Sequence, residues 1–403
     1  MTAETPYRWE FKARFRRHAF GWRSRPAVER VKQAVAEVKT VARRDRMLAA
    51  EGAVLFLERV SPALEQVDSS SGAIGTAVNH AIEEFVPIIA GAPADPKKRE
   101  RWLTRLWAAH EADEMPYIET LADYWGDLCA SKELASRWAD DLVWTTRMAL
   151  SPDPKLHGYF HGTSACLSAL YAAERYQEIV DILDVDAIWP YKIWAVRALA
   201  AMGKKAEAIR YAEACRSSWA SDYEIDGLCE ELMLSSGLVD EAYERYGLRA
   251  NRRGTYLATF RAVARKYPQK SSQEVLADLV DSTPGEEGKW FAAAKDAGLF
   301  DDAIELAHTG PCDPKTLNRA SRDFVDKQPR FSLEAGLLAL HWLARGFGYE
   351  ITSADVWSAY TSTMKAGSSL GRSKETTAQI KQIVAAEGSG GFVKSILGRE
   401  LGL

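Results

Sequence analysis

A short pattern recurs along the middle of this 403-residue chain and limits what the chain can fold into. Glu174 stands before Glu178 and Ile179, Gly203 before Glu207 and Ala208, Gly237 before Glu241 and Ala242, and Gly298 before Asp302 and Ala303. The acid falls four positions after the turn residue, and a small or apolar residue falls five after. The intervals are 29, 34 and 61 residues. The last is close to twice the others, which places a weaker unit near Tyr267 and Pro268, ahead of Val275, Leu276 and Leu279. A period of about 30 residues is the length of one helix–turn–helix hairpin.

The pattern has a direct physical reading. Glycine adopts the left-handed conformation that ends a first helix. The acid then lies in the first turn of the next helix, where the macrodipole favours negative charge. The alanine behind it lets two helices approach closely. One hairpin cannot bury its apolar face alone, so neighbours stack. The expected fold class is all-α: helical-hairpin repeats stacked as a tetratricopeptide-like α-solenoid. No sustained period-two alternation bounded by Asn-Gly or Asp-Gly turns suggests a sheet, and no βαβ pattern offers a nucleotide crevice.

Apolar residues recur at helical spacing on both sides of this block. Val28, Val31, Val35 and Val38 follow Pro26, and Leu48, Leu55, Phe56 and Val60 follow the capping residue Asp45. Ser61 and Pro62 are expected to restart the chain, and Asp95-Pro96 and Asp313-Pro314 to open helices. A helix is expected through Tyr117, Leu121, Tyr124 and Leu128, and a loop over Gly367–Ser373. The organisation read from this is a basic aromatic arm (1–25), an N-terminal helical region (26–150), the repeats (151–310), a C-terminal helical region (311–387), and a Gly-rich hinge and tail (388–403). The tail reads either as a helix capping the last repeat or as a docking peptide.

Thirteen Lys/Arg against five Asp/Glu give residues 1–50 a charge of +8, so the remaining 353 carry −12 to reach the net −4. Within the arm, Arg8, Lys12, Arg14, Arg16, Arg17, Arg23 and Arg25 interleave with Tyr7, Trp9, Phe11, Phe15, Phe20 and Trp22. Two readings are open. Basic residues neutralise phosphate while aromatics stack on unpaired bases. Alternatively, the aromatics pin the arm to the first helices, with Trp9 and Trp22 both buried and the charges at the surface.

No run of 18 apolar residues is present, and the N-terminus lacks the apolar core of a secretory signal. Cys129, Cys166, Cys215, Cys229 and Cys312 are an odd, scattered set, as expected of reduced thiols in the cytoplasm.

Few groups suggest chemistry. His157 and His161, four apart, with Cys166 beyond them, are weak candidates for a zinc site; the set is incomplete, so no metal is expected. His110, Glu111, Asp113 and Glu114, then Glu119, Asp123 and Asp127, form an acidic run that reads as a solvated stripe or a docking face. Asp68–Gly75 is a small-residue loop before a helix. It reads as a cap whose Ser or Asp oxygen satisfies the first N–H groups, or as a phosphate cradle lacking the P-loop lysine.

The stretch Val67–Gly75 resembles a segment of a large uncharacterised bacterial family of helical proteins. Trp290–Gly298, Cys312–Leu317 and Gly348–Ile351 resemble its C-terminal half, so the likeness covers the chain from about residue 25. It implies a helical fold and a bacterial origin, and no particular activity. Some similar proteins carry a SWIM-type zinc finger. These 403 residues hold no Cys-x-Cys pair and no cysteine before Cys129, so that finger is missing from them. The function expected is a protein-binding scaffold or adaptor without catalysis, cofactor or membrane contact. The alternative is a nucleic-acid-associated accessory protein using the arm, and the weaker alternative a metal-dependent enzyme using the histidine pair.

Overall fold

A computed structural model describes residues 7–216, 221–387 and 391–403; Gly388, Ser389 and Gly390 of the expected hinge lie outside them. Every regular element among the described residues is helical, and none is a strand. The chain divides into two compact units, Met1–Ile225 and Asp226–Leu403, a division that falls inside the block read as repeats.

The first unit opens with α1 (Glu10–Arg14), α2 (Ser24–Ala42), α3 (Arg46–Leu64), α4 (Ala73–Ala90) and α5 (Pro96–Glu111). Asp45 caps α3 by accepting from the Leu48 N–H, and Asp95 caps α5 from the Lys98 N–H, each at 2.9 Å. Helix α3 runs through Pro62 and ends only at Leu64. Proline removes one hydrogen bond, but the helix is two residues from its end there, so the expected restart does not occur. A 3-10 turn (Glu119–Tyr124) and the short α6 (Trp125–Cys129) replace the single helix expected across Tyr117–Leu128. Then come α7 (Lys132–Ala149), α8 (Thr163–Ala172), α9 (Tyr176–Ile182), α10 (Trp189–Ala201) and α11 (Lys205–Ala214). Two aromatic clusters hold this core. Phe56 is 5.7 Å from Phe11, 4.9 Å from Phe15 and 5.3 Å from Phe85 between ring centres. Trp107, Trp125 and Trp138 meet edge-on or tilted at 5.0–5.7 Å.

Helix α12 (Asp222–Leu234) spans the division. The second unit continues with α13 (Val239–Ala242), a π turn (Tyr243–Gly247), α14 (Leu248–Ala250), α15 (Tyr256–Lys266) and α16 (Ser272–Asp281). After a 3-10 turn (Glu287–Trp290) follow α17 (Phe291–Asp296), α18 (Phe300–Thr309), α19 (Pro314–Phe324), α20 (Pro329–Ala344), α21 (Ser353–Ser369), α22 (Ser373–Ala386) and α23 (Phe392–Leu401). Phe291, Phe300, Phe324 and Phe331 form its aromatic centre. Val393, Leu397 and Leu401 bury α23 against α20, α21 and α22, so the tail is a packed helix.

The recurring pattern becomes one recurring turn. Glu174, Gly203, Gly237 and Gly298 sit at φ of 59°, 80°, 77° and 78°. The N–H after each reaches back five residues: Arg175 to Leu170 O, Lys204 to Leu199 O, Leu238 to Met233 O, and Leu299 to Ala294 O, all at 2.9–3.1 Å. This is the Schellman closure of a helix C-terminus. The fifth residue after the left-handed one is buried in every case: Ile179, Ala208, Ala242 and Ala303. The unit near Pro268 turns differently, through a capping box on Ser271 and Glu274. A further copy stands at Gly371 (φ 68°), with Glu375 in the first turn of α22 and Thr376 buried behind it. The loop expected over Gly367–Ser373 is therefore a tight turn, with Gly367 inside α21 against Thr376.

Candidate functional site

An open cleft of about 680 Å³ lies within the first unit. Three pieces of chain form it: the α7–α8 loop with His157, Tyr159 and Phe160, the start of α10 with Ile188 and Tyr191, and the end of α11 with Cys215. Pro190 in the first turn starts α10 and leaves Ile188 just outside the helix. Tyr159 and Ile188 are 66% and 57% exposed, high for large apolar side chains. The Tyr159 hydroxyl donates to Glu119 Oε1 at 2.9 Å, which holds the ring upright at the rim. Burial pushes the Cys215 thiol up, with Lys192 acting weakly against it, so at neutral pH it remains a thiol and a poor nucleophile.

The structure does not bring the zinc candidates together. His157 Nδ1 lies 3.1 Å from Ser151 O in the α7–α8 loop. His161 packs edge-on against Tyr159 at 4.9 Å in the turn before α8. Cys166 is buried inside α8, where burial pushes its thiol up to about 11. Among the described residues no three His, Cys, Asp or Glu side chains are placed to hold a metal ion.

The acidic run is split between structural tasks. Asp113 is buried; it accepts from the Ile118 N–H at 2.7 Å and from the Ser61 hydroxyl, and burial raises its pKa despite those bonds. His110 donates through Nε2 to His161 O at 3.2 Å and so ties α5 to the α7–α8 loop. Glu119, Asp123 and Asp127 do not share one α-helix, because the 3-10 turn intervenes. In the Asp68 loop the N-cap of α4 is Gly72, at φ 70° and without a side-chain cap bond. The serine oxygen expected to serve the first N–H groups is that of Ser71, which accepts from the Ala73 N–H at 3.4 Å, while Asp68 Oδ1 accepts from the Ser70 N–H at 3.0 Å within the loop.

The basic arm lies against α2 and α3. Its aromatics divide: Trp9, Phe11 and Phe15 are buried, whereas Trp22 is 72% exposed, so the expectation of a buried Trp22 fails. Glu37 on α2 accepts from the N–H groups of Glu10 (2.8 Å) and Phe11 (3.2 Å), capping α1 from outside. Arg8, Lys12, Arg14, Arg16, Arg17, Arg23 and Arg25 are all exposed. Arg14 donates to Gln33 Oε1 at 3.0 Å, and Arg17 approaches Glu65 at 3.5 Å.

The cleft escaped the sequence reading because its walls come from segments up to 65 residues apart. The available signal was a pair of aromatic segments, Tyr159-Phe160 and Ile188–Tyr191, each beside a Gly or Pro rather than in helical register. No protein-family model matches this chain, and no curated protein sequence matches it either.

Proposed function

We propose that this protein is a non-catalytic, tetratricopeptide-like repeat scaffold that binds a protein partner through the cleft at Tyr159, Ile188 and Tyr191. The observation that carries the reading is that large apolar side chains stand exposed on the walls of a preformed cleft. Rigid aromatic anchors in a concave surface are what peptide recognition uses. The recurring left-handed turns and their buried partners support the repeat assignment, in keeping with the resemblance to a bacterial helical family. Free cysteines, most of them buried, support a reducing cytoplasm. The test is a photo-crosslinking residue at position 188, with one at exposed Lys374 as control. A discrete protein adduct at 188 alone, abolished by Tyr159→Ala, is expected. Equal labelling at both positions, or none at 188, refutes the reading.

A second reading has its own observation. With Trp9, Phe11 and Phe15 locked inward, seven cations and the Trp22 indole remain outside, the combination that binds single-stranded nucleic acid. Labelled single-stranded DNA should then bind with an affinity that falls steeply with salt. Arg14, Arg16 and Arg17 changed together to Ala should flatten that slope. Salt-independent or absent binding removes this reading.

A further inference from the structure

The cleft read above as a docking site has carboxylates beside its aromatic wall. Tyr159, Phe160, Trp189 and Tyr191 line it, and so does Asp186. The Tyr159 hydroxyl is bonded to Glu119. Ser164, next to the lining residue Thr163, hydrogen-bonds the Asp123 carboxylate. We propose that the cleft takes a basic segment of a protein partner, with a lysine or arginine side chain of that segment seated between the two tyrosines and the carboxylates of Glu119 and Asp123. The inference rests on the docking reading and adds the chemistry of the occupant.

The carboxylates are placed by local structure. Glu119 opens the 3-10 turn that ends at Tyr124, and Asp123 stands next to its end. Ser168 on α8 holds that turn: its Oγ donates to Asp123 O at 2.8 Å and accepts from the Gly126 N–H at 3.0 Å. Gly126 lies so close to α8 that a Cβ there would come 2.6 Å from Ala172 Cβ. The turn is thus fixed against the helix whose first residue, Thr163, lines the cleft. Glu119, Asp123 and Asp186 are exposed, and among the described residues none of the three forms an ion pair.

Their charge reaches the aromatic wall. Burial pushes the Tyr191 hydroxyl up, and Glu119 and Asp123 push it the same way. Burial and the bond to Glu119 push Tyr159 up to about 12. Both side chains therefore stay neutral phenols, whose rings and oxygens favour a cation. Burial raises the Asp123 pKa too, as for a carboxylate short of water. Arg197 acts on Asp123 in the opposite direction, but its guanidinium lies over the Trp194 ring at 5.1 Å. Among the lining residues, Lys192 stands on the α11 side, 5.9 Å over the Tyr211 ring. A long basic side chain can lay its stem on Ile188 and its charge on the carboxylates. An acidic segment would meet like charge there, and an apolar one would desolvate the carboxylates without compensation.

The test is selection of a phage-displayed random-peptide library on the full chain, with Tyr159→Ala as counter-target. Peptides preferring the wild type should share a lysine or arginine. A synthetic copy should bind Glu119→Gln about tenfold more weakly, as expected for losing one charge-assisted contact. Glutamine keeps an acceptor for the Tyr159 hydroxyl and removes only the charge. Exchanging the peptide's basic residue for glutamine should cost as much, and its affinity should fall with salt. Peptides that need Tyr159 but carry no basic residue, or that bind Glu119→Gln as well as wild type, overturn this inference and leave the docking reading standing. No peptide preferring wild type over Tyr159→Ala overturns both.

Discussion

The Trp9 indole fills a notch that Gly52 leaves in α3: a Cβ built at Gly52 would lie 2.6 Å from the ring carbon Cε2. The two residues are 43 positions apart, and their fit is what fastens the arm. Gly52→Ala should therefore eject the ring or strain the helix, costing about 2 kcal/mol, as overpacked core positions do. Hydrogen exchange over residues 9–22 should rise in this variant and stay unchanged beyond residue 226.

The cations and rings of the arm should separate cleanly in stability measurements. Phe15 is 1% exposed among Phe56 and Phe20, so Phe15→Ala should cost about 4 kcal/mol. Arg14, Arg16 and Arg17 are exposed, and replacing all three by Ala should cost under about 1 kcal/mol in total. Denaturant midpoints of the two variants check this.

Glu174 occupies the left-handed position that glycine holds in the sister turns. A side chain there costs about 1 kcal/mol. Its exposed ion pair with Lys132, at 2.6 Å, offsets only part of that. Glu174→Gly should raise stability by about 0.5–1 kcal/mol, and Gly203→Ala should lower it by about 1 kcal/mol. Urea midpoints should shift while the slopes stay constant.

Asp113 gives a pH signature. Burial raises its folded pKa above the unfolded value near 3.8, so the folded state holds the proton more tightly. Its contribution to stability is then greatest below the unfolded pKa and declines as pH rises through the folded one. Asp113→Asn keeps an acceptor for the Ile118 N–H and removes the titration. The stability of wild type relative to this variant should fall as pH is raised from about 3 to 7. A flat difference would mean the carboxyl does not sense its burial.

The sequence by itself determined the helical class and the four left-handed turns of the recurring pattern. Those rest on interactions within five or six residues: Gly203 at positive φ, Lys204 closing onto Leu199 O, Asp45 and Asp95 capping their own helices. Local chemistry is written locally, and the copy at Gly371 was hidden only because Gly367 and its serines read as loop. What tertiary structure alone decided is which side chains face in. Trp9 and Trp22 lie in the same arm and are 6% and 72% exposed. Gly52 leaves room for the Trp9 indole and Glu37 caps the helix that follows it, and neither is near Trp9 in sequence. The Tyr159–Ile188 cleft has the same origin. Its walls meet only after helices pack, because burial rewards contacts regardless of chain separation.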